Sequence, residues 1–78
     1  MTKKDIIAEI QKKEARFWLE LKQTEINFGE EHVFTGKMRF RWNSMVELMD
    51  SLGILPDQSL PEYVQAKELI LKKYTEKV

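Results

Sequence analysis

Between Thr2 and Gly29 the chain runs "KKDIIAEIQKKEARFWLELKQTEINF" with no glycine or proline to interrupt it. Ile6, Ile10, Phe17, Leu21 and Phe28 fall on one stripe at roughly 100° per residue, and Ile7 and Trp18 widen it, so the run reads as an amphipathic helix. Thr2 followed three residues later by Asp5 is an acidic variant of the capping box, which marks the start. Gly29 marks the end. The rest of the chain is then what packs on this helix.

The next stretch contains "KMRFRW", Lys37 to Trp42, in which cations alternate with large apolar groups. Alternation with period two suits a half-buried strand. It stops at Asn43, however, while Met38, Trp42, Met45, Met49 and Leu52 continue at spacings of four, three, four and three, with Phe34 four residues before Met38. No other segment reads as a strand that could pair with this one, and an isolated hairpin is marginal in water. A helix over residues 31–52 is therefore expected. Starting it near Glu30 or Glu31 places carboxylates in the first turn, where they complement the helix dipole that Lys37, Arg39 and Arg41 would oppose. Gly36 costs about 1 kcal/mol relative to alanine if it lies in the interior. Gly53 is placed to end the helix at C′.

Pro56 and Pro61 bracket the linker "ILPDQSLP". Ser59 with Glu62 matches a capping box, and Pro61 suits a first helical turn. Beyond it Tyr63, Ala66, Ile70 and Tyr74 share a face flanked by Leu60 and Leu71. Glu68 and Lys72 are spaced for an i,i+4 ion pair, and Lys72, Lys73 and Lys77 suit the C-terminal end of the dipole. The short connection at Gly29 makes the first two helices antiparallel neighbours. The expected fold is all-α and bundle-like: a long antiparallel helical hairpin and a shorter third helix, one domain over residues 1–78.

At 78 residues such a chain has little stability to spare, and small domains often lean on disulfides, metals or oligomerisation. It has no cysteine, which excludes disulfides and thiolate metal sites. Lys and Arg number 13 and Asp and Glu 13, so the formal net charge is zero and the basic excess usual in nucleic-acid binders is missing. Asp5 and Glu9 interrupt the apolar residues behind the two N-terminal lysines, so no signal peptide is read there. No run is long enough to span a bilayer. A cytoplasmic location with no membrane association is the expectation.

"GEEH", residues 29 to 32, holds the one histidine beside two carboxylates. Adjacent residues diverge on a helix or turn, whereas metal ligands on a helix want i,i+3 or i,i+4 spacing. A capping role for the glutamates and a solvated His32 are expected. Glycines 29, 36 and 53 are dispersed and form no phosphate cradle, and nothing matches a nucleophile elbow or a Cys–His pair. No catalytic, cofactor-binding or metal-binding residue is assigned, no cofactor or small-molecule substrate is implied, and the chain is not read as an enzyme. Lys12, Lys13 and Arg16 are interleaved with Glu9, Glu14 and Glu20, which reads as a solvated, ion-paired helix surface.

The first helix carries a second apolar stripe, Ala8, Ala15, Leu19 and Ile26, nearly opposite Phe17. On the second helix Val33 and Phe40 face away from Met45. A surface helix needs one stripe, and surplus apolar surface on a small domain marks a partner interface. The third helix is able to cover part of it. The expected interface is Ala15, Leu19, Ile26, Val33 and Phe40, serving a homodimer or docking on another protein. The alternative is a nucleic-acid accessory protein using Lys37, Arg39 and Arg41, with Gln65 and Lys67 near the start of the third helix. Against it, Glu47 and Asp50 dilute the field, and the linker exceeds the turn of a helix-turn-helix. Trp42 is expected in the core and Phe40 outside it.

"EARFWLELKQTEINFG" followed by "RFRWNSMVELMDSLGI", within residues 5–54, resembles small helical proteins of Gram-positive bacteria and their phages that carry no assigned activity. The resemblance implies a phage or prophage accessory origin and transfers no functional residue.

Overall fold

In a computed structural model describing residues 2–76, the chain forms three helices: α1 (Lys3–Phe28), α2 (Val33–Leu52) and α3 (Pro61–Glu76). No strand occurs among the described residues, and the all-α expectation holds. The expected α1 boundaries also hold. The Asp5 N–H donates to the Thr2 hydroxyl at 3.3 Å, and the Thr2 N–H donates to the Asp5 carboxylate at 3.1 Å. These two bonds close the capping box and hold the Asp5 carboxyl below its ordinary range.

The α2 start differs from expectation. Glu30 and Glu31 lie in the turn before the helix, and no acidic residue occupies the first turn. His32 is the N-cap instead, its Nδ1 accepting from the Phe34 N–H at 3.1 Å. The imidazole does the work assigned to the glutamates. The turn is closed further by the buried Thr35, whose hydroxyl donates to the Gly29 carbonyl at 2.6 Å. At the far end the left-handed Gly53 (φ 70°) lets its own N–H reach the Asp50 carbonyl and the Ile54 N–H reach Met49 at 2.8 Å. Those two bonds are a Schellman motif.

The expected Ser59 cap on α3 is not formed. Ser59 is turned back to the Asp57 carboxylate, donating from both its hydroxyl and its N–H, which lowers the Asp57 pKa. Leu60 backbone carbonyl bonds from Tyr63 and Val64 open α3, and Pro61 is its first helical residue, where a missing N–H costs nothing. No ion pair joins Glu68 and Lys72; both border a cleft with Gln23, Gln65 and Leu69. The side chain of Tyr74, and Lys77, lie outside the described residues.

The arrangement explains the second apolar stripe. α1 is the central helix: α2 packs on one side of it and α3 on another, and the backbones of α2 and α3 do not approach each other. A helix with two neighbours needs two stripes. Leu21 (2% exposed) and the half-buried Phe17 serve α2, while Ala15 (0%) and the half-buried Leu19 sit on the α3 side, where Ala66 is also fully buried. The described chain measures 46 × 25 × 17 Å, with a radius of gyration of 13.7 Å; a compact chain of this length has about 11.5 Å. The protein is a three-helix slab rather than a closed bundle.

Candidate interaction surface

Two side-chain assemblies stand out, one closed and one open. The closed one lies in the angle between the two helix pairs. Glu14 of α1 is fully buried, and the Tyr63 hydroxyl of α3 donates to its carboxylate. Burial raises the Glu14 pKa, while the nearby Trp42 indole N–H partly offsets this by favouring the charged form. That N–H is itself buried without an acceptor in full hydrogen-bonding geometry. Trp18 lies between the α2 and α3 aromatics, with its ring centre 4.7 Å from Trp42 and 6.2 Å from Tyr63, and Lys22 caps its face at 4.2 Å. Glu14 is thus not the solvated surface residue that its charged neighbours suggested. The signal that could have revealed it is phase: at roughly 100° per residue Glu14 falls between the two apolar stripes, on the line of Leu21 and Trp18.

The open assembly is the outer side of α2. Phe40 is 74% exposed, although Trp42 two residues on is half-buried against Trp18. A helix turns about 200° in two residues, so this is the separation expected of helical periodicity and not of a strand. Phe40 stands at the rim of a shallow, almost wholly apolar groove of about 430 Å³, completed by Phe17, Arg41, Ser44, Met45 and Leu48. Val33 (68%), Leu48 (49%) and Leu52 (57%) are also uncovered on this helix.

The five residues expected to form one contact face are divided. Ala15 is buried beneath α3 and cannot touch a partner. Leu19 is half-buried, and Ile26 borders a narrow cleft with Leu69, Lys72 and Lys73 of α3. Val33 and Phe40 are on the other side of the molecule, on α2. Sequence reasoning missed Leu52 as a member of the open side because its spacing from Met45 and Met49 suits the core, and it gave Leu48 no role.

The cations of "KMRFRW" are likewise separated. Arg39 lies 3.8 Å from Glu25, which also pairs with Lys22 at 3.2 Å, and it donates to the Glu30 carbonyl. Arg41 lies 3.7 Å from Glu20 and stacks over the Phe17 ring at 4.3 Å. Lys37 is exposed and makes no ion pair among the described residues. These arginines clamp α2 to α1 through carboxylates on the facing helix. No group of three or more acidic or histidine side chains is placed to hold a metal among the described residues, and no helix there is long and apolar enough to cross a membrane.

No family model, curated protein or solved structure matches this chain. The reading of the site therefore rests on its geometry.

Proposed function

We propose that the protein is a non-enzymatic helical interaction module, working in the cytoplasm, whose contact surface is the outer side of α2 and whose first partner is another copy of itself. The observation that carries this reading is Phe40: a large aromatic side chain, 74% exposed, at the edge of an open apolar groove that α2 shares with Phe17 of α1. Leaving several large apolar groups in water forgoes roughly 1.5–3 kcal/mol for each, which a contacting protein surface would recover.

The magnitude of the exposed surface supports the same reading. The chain exposes 6008 Å², against about 5,000 Å² for a compact monomer of its mass. The excess, about 1,000 Å², is more than the roughly 800 Å² that each partner contributes to a standard protein–protein interface. A nucleic-acid role would ask Arg39 and Arg41 to exchange their carboxylate partners for phosphates, leaving Lys37 as the exposed, unpaired member of the cluster. The protein reading asks nothing of the kind. The resemblance to phage-associated helical proteins fits an accessory role in which a small module acts by docking.

Light scattering of the wild type and of Phe40→Asp across a range of micromolar concentrations tests the reading. A wild type whose mass doubles, beside a folded Phe40→Asp that stays monomeric, is the expected result. A wild type that remains monomeric on concentration would remove self-association.

A further inference from the structure

The pattern along α2 contains more than an exposed apolar stripe. Four of the uncovered apolar residues on or just past it are paired about Ser44, with Phe34 and Leu52 outside the pairing: Phe40 and Leu48 lie four residues to either side, and Val33 and Leu55 eleven to either side. Leu55, just past the end of α2, is the most exposed of them at 79%, while its carbonyl is held by the Gln11 side chain at 2.9 Å, so the backbone beneath it is anchored. Symmetry of this kind is what an isologous contact requires, since a two-fold axis brings each residue opposite its counterpart across the centre. We infer that α2 pairs antiparallel with α2 of a second copy, around a two-fold axis passing beside Ser44. Leu48 of each copy then enters the hole between Lys37, Phe40, Arg41 and Ser44 of the other. The inference rests on the self-association proposed above and specifies its geometry.

Three observations favour this arrangement over a parallel one. A knob on one helix fits a hole made by residues i, i+3, i+4 and i+7 on the other. Residues 37, 40, 41 and 44 have that spacing, and the antiparallel register centred on Ser44 places the partner's Leu48 level with their middle. Phe40, Arg41 and Ser44 of that hole already line the apolar groove. The small side chain at the centre is the second observation, because Ser44 is exposed and lets two helix backbones approach where the axis passes. Charge is the third. Lys37, the cation of the first half of α2 that α1 does not pair, and Glu47 and Asp50 in the second half make no ion pair among the described residues, whereas Arg39 and Arg41 are held by Glu25 and Glu20. Antiparallel copies set Lys37 of each beside the acidic half of the other. Parallel copies would set like beside like at a separation near the Debye length, where repulsion still acts.

Because the chain has no cysteine, single replacements report the geometry without background. Ser44→Cys and Ser51→Cys, both at exposed positions, are oxidised at a concentration where light scattering shows the dimer, with circular dichroism confirming that each is helical. Across the proposed axis two Ser44 positions come together, within the separation a disulfide spans. Two Ser51 positions are offset by fourteen residues along the helices, about 21 Å. The expected result is nearly complete cross-linking of Ser44→Cys and none of Ser51→Cys. In a mixture, Ser51→Cys should instead be captured by Lys37→Cys, its counterpart across the axis. Equal cross-linking of both single variants would establish the parallel arrangement and overturn the inference. A dimer in which Ser44→Cys stays reduced would place the contact elsewhere, overturning this geometry while leaving self-association intact. A wild type and variants that stay monomeric throughout would overturn both.

Discussion

The two sides of the slab make opposite use of the same kind of residue. On the α3 side of α1, Ala15 is buried and Leu19 half-buried, while Ala8 and Ile26 at the two ends of the stripe stay exposed. The contact with α3 is tight enough to leave Ala15 and Ala66 with no exposed surface and to bury the Glu14 carboxylate with its Tyr63 donor. On the outer side of α2, apolar residues of equal or larger size remain in water, Phe40 among them. The difference is topological. α1 is flanked twice and α2 once, because the linker carries the chain back across α1, where Gln11 holds Leu55, and not around the outside of α2. An apolar stripe becomes core or contact surface according to which neighbour the connection delivers to it.

The comparison can be broken most forcefully at Trp42, which belongs to the closed side even though it is two residues from Phe40. Trp42→Ala removes the indole that packs on Trp18 at the junction of all three helices. It should cost about 3–5 kcal/mol, as large aromatic truncations do, and abolish cooperative melting. Next in size is overpacking of the closed contact. Ala15→Leu has no room beneath α3 and should lower stability by about 1–3 kcal/mol, read as a shifted denaturant midpoint. If Ala15 belonged to an open face, the same substitution would be silent.

The buried carboxyl sharpens the contrast through pH. Burial raises the folded-state pKa of Glu14 above the unfolded value, so the folded state holds its proton more tightly. Its contribution is therefore fully present below the usual glutamate range and is lost as pH rises through the raised folded value. Melting temperatures measured upward from about pH 4.3 should fall for the wild type relative to Glu14→Gln, which keeps an acceptor for Tyr63. Asp5 has the opposite sign. Its folded-state pKa is lowered by the capping box, so its contribution is lost as pH falls through that lowered value. Parallel slopes for the wild type and Glu14→Gln would contradict a buried Glu14.

The smallest effect on folding is expected at the open side. Phe40→Asp should leave monomer stability within about 0.5 kcal/mol of the wild type, as for surface changes generally, with unchanged helical circular dichroism. A loss comparable to that of Trp42→Ala would erase the distinction between the two sides.

Much of this protein was legible locally. The extent of α1, its Thr2–Asp5 cap, the Gly53 terminus and the separation of Trp42 from Phe40 all follow from residues within a few positions of one another, where backbone sterics and the helical period act directly. The His32 cap and the Ser59–Asp57 turn were misassigned because several polar side chains competed for the same few N–H groups, and the preference among them is small. What only the tertiary structure decided is which apolar stripe is covered. Periodicity reveals that α1 has two stripes and α2 has apolar residues on two sides, but it carries no information on where an eight-residue linker will set down the third helix. For the same reason Glu14 passed for a surface residue. Its burial depends on α2 and α3 meeting over it, and the donor that compensates it, Tyr63, lies forty-nine positions along the chain.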